Sequence, residues 1–409
     1  MDEKKKVTVY GYRWVVLAVF AFINLIVQLQ WLTFAPVELI AKGIYHATTL
    51  QIDMLSLVFM FLFVIFSIPA SYIIDTYGLR VGVGIGAVLV GVFGLLKGIY
   101  ADSYPMVFIS QVGLSIAQPF VMNATTKVSV RWFPMKERAT AAGIVSLAMF
   151  IGIVIVMILT PILVTALGRN TDLKGTFLIY GIFSAAFALL TLLLLREHPA
   201  TPPSLNDRDE RFRVGDGLKH ILRERSMVIL IILFFIAIGM FNAITTVIDQ
   251  IGALKGLTTG QTGLLGGLIV IGAIVGAGIF PIISDRMRRR KPFIVMALVG
   301  ALPGLAGIAI FTNYTLLLVS AFILGFFVVS AMPIGFQYSA EISYPAPESS
   351  SQGLTILAGN LSGVIFIFLM DGLGVAPFLI VFIVLFALCV LLATQMKESP
   401  MILTEPAEP

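Results

Sequence analysis

Apolar runs of about 20 residues, separated by short polar breaks, recur twelve times along the chain. At 1.5 Å of rise per residue a helix of that length crosses the hydrocarbon layer of a bilayer. The runs lie near 14 to 36, 53 to 73, 81 to 100, 105 to 126, 140 to 165 and 176 to 195, then near 227 to 250, 262 to 283, 293 to 312, 315 to 338, 351 to 370 and 375 to 395. The pattern predicts an all-α membrane protein whose twelve transmembrane helices form two pseudo-symmetric six-helix bundles. Residues 1–195 form the first bundle and 227–396 the second, with 397–409 as a cytoplasmic tail. Between the bundles, 196–226 reads as a linker, dense in charge and carrying Pro199, Pro202 and Pro203. The first run is too long for a signal-peptide core, so it is expected to stay in the mature protein.

The halves match at a nearly fixed offset. Glu38 pairs with Asp249 and Pro134 with Pro345 at 211 residues, as Glu137 does with Glu348, while Gln51 pairs with Gln261 and Asp75 with Asp285 at 210. Composition agrees with a lipid-embedded chain: 58% of residues are hydrophobic and 12% charged, against roughly 25% charged in soluble domains. Of the 27 Lys and Arg residues, 22 fall in the loops shared with both termini, among them Arg13, Arg80, Lys127, Arg131 and the cluster Arg286 to Lys291. The opposite loops hold Lys42, Lys97, Arg169, Lys174 and Lys255. This asymmetry places both termini in the cytoplasm, in the plasma or inner membrane, and accounts for the net charge of +5 without a nucleic-acid partner. The lone Cys389 permits no intrachain disulfide, and His46, His198 and His220 lie in loops, so no metal site and no cofactor is implied.

After the second run the chain reads Asp75-Thr-Tyr-Gly78-Leu-Arg80, and after the eighth Asp285-Arg286-Met-Arg288-Arg289-Arg290-Lys291. Both resemble the signature of the major facilitator superfamily, commonly G-x-L-a-D-r-x-G-r-R, with Ser71 and Pro281 standing where the first glycine is expected. The resemblance implies a conformational latch of Asp75, Gly78, Arg80, Arg138, Asp285 and Arg286. In it Asp75 meets the start of the eleventh span and Asp285 the start of the fifth. Two further segments, Gln118 to Ala141 with its Trp132-Phe133-Pro134 core and Glu341-Ile-Ser-Tyr344-Pro345-Ala-Pro347-Glu348, are similar to the feline leukaemia virus subgroup C receptor family. That family is associated with choline, ethanolamine and haem transport.

Secondary transporters bind substrate near the midplane, so polar residues on one face of a span are candidates. Asn24, Gln28 and Trp31 fall at i, i+4 and i+7; Gln111, Ser115 and Gln118 repeat the spacing in span 4; Phe241, Asn242, Thr245, Thr246 and Asp249 follow in span 7, and Asn360 lies in span 11. An indole face attracts a quaternary ammonium and an amide can take an alcohol. The family resemblance implies that Trp31, Gln118 and Asn360 line the ligand site; Phe241 and Asn242 stand where choline-transporting relatives have a tyrosine, and Asn360 where they have a glutamine. The competing structural reading makes the polar residues interhelical hydrogen-bonders, worth roughly 0.6 kcal/mol each, and Trp31 an interfacial anchor. Glu38, Asp249, Glu341 and Glu348, near helix ends, are candidates for gating or coupling. No ionisable residue lies mid-span, which favours uniport of a small organic cation by a monomer. A proton-coupled transporter of another solute and a non-transporting receptor on the same scaffold remain open, whereas no catalytic constellation converges and an enzyme is not expected.

Overall fold

The computed structural model describes residues 10–134, 137–166, 173–199, 201, 223–343 and 348–399. Among them, 12 helices are long and apolar enough to cross a membrane. The chain divides into two compact units, Met1–Glu210 and Arg211–Pro409. The first contains α1 (Arg13–Trp31), a 3-10 turn (Ala35–Val37), α2 (Glu38–Tyr45), α3 (Thr49–Tyr77), α4 (Leu79–Ile99), α5 (Tyr104–Met122), α6 (Thr125–Trp132), α7 (Arg138–Ala166) and α8 (Leu173–Leu194). The second contains α9 (Arg225–Thr246), α10 (Ile248–Leu254), α11 (Thr259–Met287), α12 (Lys291–Ile310), α13 (Tyr314–Ser343), α14 (Glu348–Leu373) and α15 (Val375–Thr394).

The same pairings recur in each unit. In the first, α1 packs on α7, α3 on α5, and α4 on both α5 and α8; in the second, α9 packs on α14, α11 on α13, and α12 on both α13 and α15. The repeated glutamines explain part of this register. Thr48 and Gln51 form a reciprocal capping box at the start of α3, with N···O distances of 2.8 and 3.2 Å, and Thr258 and Gln261 repeat it before α11 at 2.9 and 3.4 Å. Each box satisfies backbone N–H groups that a helix start leaves without intrahelical partners.

The first and seventh apolar runs are not single helices. The α1 helix stops at Trp31 and α9 at Thr246, and each span continues as a short second helix. No glycine marks either break. Instead Thr33 Oγ1 donates back to the carbonyls of Leu29 (2.8 Å) and Gln30 (3.0 Å). Thr245 Oγ1 bonds to Phe241 O (2.7 Å) and Asn242 O (3.1 Å) from within the last turn of α9, where the helix ladder still runs. A second correction concerns Lys97, expected in a loop: it lies in the last turn of α4 with no exposed surface.

Small residues let helices approach where lipid supplies no hydrophobic drive between them. Gly91 and Gly94 of α4 face Ala188 and Ser184 of α8, and Gly98 faces the backbone of Phe177 and Leu178. Gly181 of α8 completes the seam: a Cβ there would stand 2.6 Å from the Gly94 carbonyl oxygen and 3.0 Å from Leu95 Cα. Because backbone rather than a movable side chain is in the way, Gly181→Ala is expected to destabilise the first unit by about 1–3 kcal/mol. Gly143→Ala, where a Cβ meets nothing within 4 Å, serves as the control. Thermal unfolding of both variants in detergent, read by size-exclusion chromatography, checks it; equal midpoints would refute the seam.

Candidate functional site

In the first unit the polar stripe of α1 is buried. Asn24 is 0%, Gln28 5% and Trp31 8% exposed. Asn24 Nδ2 donates to its own helix at Phe20 O (2.8 Å), and Gln28 Nε2 reaches Met122 Sδ on α5 at 3.6 Å. The indole N–H of Trp31 donates to Ser56 O on α3 (3.2 Å), and Ser56 Oγ donates in return to Trp31 O (3.4 Å). On α5, Gln111 Nε2 donates to Leu55 O (3.1 Å), Ser115 Oγ bonds within its own helix, and Gln118 is buried. The amide groups therefore do not bond one another. Their acceptors stay open: Asn24 Oδ1, Gln28 Oε1, Gln30 Oε1 and Gln111 Oε1 are buried and find no hydrogen-bond partner within the protein. A buried acceptor left unmatched costs about 1–3 kcal/mol, so four on α1 and α5 are a feature that needs a donor.

In the second unit Phe241, Asn242, Thr245, Thr246 and Asp249 are all buried along α9 and α10. Thr245 Oγ1 donates within its own helix, whereas Thr246 Oγ1 finds no partner. Asn360 is half-buried on α14.

The latch residues sit in a charged belt at the end of each unit that carries the basic loops. Asp75, in the last turn of α3, pairs with Lys127 of α6 at 3.1 Å. Gly78 joins α3 to α4 at φ 103° and ψ 166°, a region that side-chain-bearing residues rarely adopt. The start of α4 is capped by Glu197, whose two carboxylate oxygens accept from Leu79 N (2.9 Å) and Arg80 N (2.6 Å) and pair with Arg131. Glu398 repeats the cap at α12, accepting from Arg290 N (2.8 Å) and Lys291 N (3.1 Å). Ser71, in the place of the facilitator glycine, accepts from Asn123 Nδ2 at 3.0 Å. Glu137 pairs with Arg13 at 3.1 Å. Arg286 is exposed at the end of α11, while the side chains of Arg138, Asp285 and Glu348 lie outside the described residues.

Of the coupling candidates, Glu38 and Asp249 are buried in the first turns of α2 and α10. Glu341 is held in a buried pair: its Oε1 accepts from Arg290 Nη2 (3.1 Å), Arg290 Nε (3.3 Å) and Gln337 Nε2 (3.1 Å). Neither capping glutamate was among the residues the sequence pointed to. Their signal is the repeat Arg196-Glu197-His198-Pro199 and Lys397-Glu398-Ser399-Pro400, which closes each bundle at an offset of 201 rather than 211. Gln30 was missed because it lies off the Asn24–Gln28–Trp31 face.

Residues 16–367 match the family model described as the Major Facilitator Superfamily. Solute carrier family 49 member A3 of Danio rerio is 29% identical over 389 residues, covering 91% of this chain and 81% of its own. The choline/ethanolamine transporter FLVCR1 of Felis catus is 29% identical over 380 residues, covering 87% of this chain and 66% of its own, so this chain spans about two thirds of that relative. The choline/ethanolamine transporter FLVCR2 of Homo sapiens is 25% identical over 412 residues, covering 94% and 77%. A crystal structure of a bacterial homologue of the human lysosomal transporter Spinster shares the fold, with a TM-score of 0.75 at 14% identity over 98% of this chain and 100% of that one.

The buried pair at the second unit's charged end yields a measurable asymmetry. Arg290→Met leaves Glu341 buried without its cation and is expected to lower stability by about 3–5 kcal/mol. The double variant Arg290→Met/Glu341→Leu should recover most of that loss. Unfolding midpoints of the two variants decide it; a double variant no more stable than the single one would show that the pair is not what holds this corner.

Proposed function

This chain belongs to the Major Facilitator Superfamily, and from that premise we propose that it is an alternating-access uniporter of a small organic cation of the choline or ethanolamine type. The observation that carries the substrate class is the set of open acceptors on α1 and α5. The open amide oxygens of Asn24, Gln28 and Gln111 suit a ligand that brings hydroxyl or ammonium protons.

Trp31 supplies the second element. Its indole is fixed by the Ser56 bond, and an aromatic face draws a quaternary ammonium by its quadrupole, with roughly 0.5–2 kcal/mol or more once water is excluded. Gln118 is a further proposed ligand contact in the first unit, and Phe241, Asn242, Thr245, Thr246 and Asn360 are the proposed contacts of the second. The relatives that carry choline/ethanolamine transporter in their names support the same class. Uniport is favoured by the placement of charge: Glu38, Asp249 and Glu341 stand near helix ends, as does Lys97 in the last turn of α4. The membrane potential alone supplies about 2.3 kcal/mol per 100 mV, roughly fifty-fold, to a monovalent cation. The loop charge asymmetry supports cytoplasmic termini in a cell membrane, and the protein is proposed to work as a monomer, with the Asp75 and Asp285 regions biasing its conformations.

Uptake of choline and of ethanolamine by the purified protein in liposomes, with and without an imposed potential, tests this reading. Saturable uptake driven by an inside-negative potential is expected, with Trp31→Ala lowering it at least about tenfold. Absence of uptake for both solutes would remove the substrate class, and acceleration by an inward proton gradient would remove uniport.

A further inference from the structure

A lysine with no exposed surface inside a transmembrane helix is costly, and such residues are rarely kept for architecture alone. Lys97 is one. Its Nζ donates to Thr33 Oγ1 at 3.1 Å and to Gln30 O at 3.4 Å. It also lies 5.4 Å from the ring centroid of Phe177 and 5.8 Å from that of Phe34. No carboxylate is among its described partners. What balances the ammonium is the end of α1: with the helix stopping at Trp31, carbonyls of its last turn face away from any continuing ladder and carry the negative pole of the helix dipole. Thr33 Oγ1 takes Leu29 O, Ser56 Oγ takes Trp31 O, and Gln30 O is shared between Thr33 and Lys97.

The repeat provides an internal control. In the second unit the span is likewise broken, after Thr246, yet the position 211 residues beyond Lys97 is Ile308, fully buried. There a lysine acts only farther out, where Lys255 donates to Ala309 O at 2.7 Å from beyond the end of α10. A broken span of this kind therefore forms without a buried cation. The unit that keeps the lysine is the one whose break adjoins Trp31.

We propose that Lys97 is a positioning residue for the substrate site: by holding Gln30 O and Thr33 from α4 while Ser56 holds Trp31 from α3, it fixes where the indole of Trp31 stands. Close approach along Gly94 and Gly98 brings Phe177 of α8 over the ammonium and leaves it no route to water. The inference rests on the proposed role of Trp31 for its transport consequence, but its structural content can be read without any substrate.

The test uses the full chain with Trp14→Phe and Trp132→Phe, leaving Trp31 as the sole tryptophan of the three. Lys97→Met is expected to shift Trp31 emission to longer wavelength and increase its quenching by acrylamide. It should also raise the KM for choline about tenfold while kcat changes less. Lys97→Arg, which keeps the charge, should restore both. If the parent protein moves neither choline nor ethanolamine, the substrate reading fails and the emission shift alone decides the inference. Unchanged emission and KM in Lys97→Met would overturn it, as would a fall in kcat with neither altered, which would assign the lysine to a transport step instead. Should Lys97→Met not assemble, Thr33→Val removes the acceptor and keeps the lysine; the same emission shift is expected, and its absence overturns the proposal.

Discussion

In a bilayer no water reaches the backbone, so each carbonyl and N–H must find its partner inside the protein. Continuous helices meet that demand automatically, and a break in one creates a debt of unmatched carbonyls. The two interrupted spans, α1–α2 and α9–α10, are thus the places where side chains must take over from the ladder. Thr33 does so by bonding back to the preceding turn. Trp31, and Thr245 with Thr246, stand beside these breaks, where the backbone changes direction within a packed unit.

The same demand shapes the ends of the helices. Capping boxes at Thr48 and Thr258 and carboxylate caps from Glu197 and Glu398 satisfy helix starts with side chains of the same unit. The same devices occur in both units. Departures from the duplication are consequently informative: Lys97 against Ile308, and Trp31 against Asn242, mark where the first unit has been specialised.

Much of the fold was legible because lipid imposes a simple code: long apolar runs, short polar breaks and a repeat near 211 residues. The helices extend up to about a turn beyond the runs, as at Thr49–Tyr77, since the interfacial turns carry polar residues such as Gln51 and Asp75. The breaks after Trp31 and Thr246 were not legible, because a threonine in an apolar run reads equally as helix interior. Lys97 was misplaced for a related reason. A lysine near the end of a run is ordinarily a loop residue, and only the glycine seam with α8 and the interrupted α1 make an interior place for it. The polar stripe of α1 was readable from spacing, but which of its atoms stay open is a property of packing and not of order along the chain.

The glutamate caps have a mechanical corollary. Glu197 binds the first two amides of α4 three residues after α8 ends, and Glu398 Oε1 takes the amides of Arg290 and Lys291 at the start of α12 four residues after α15 ends. Tension entering through the linker or the tail would therefore meet a carboxylate clasp on a neighbouring helix before it reached the helix that precedes it. Each bundle is in effect hemmed at its last stitch, so changes in the length or composition of the segments beyond are insulated from the register of the helices within.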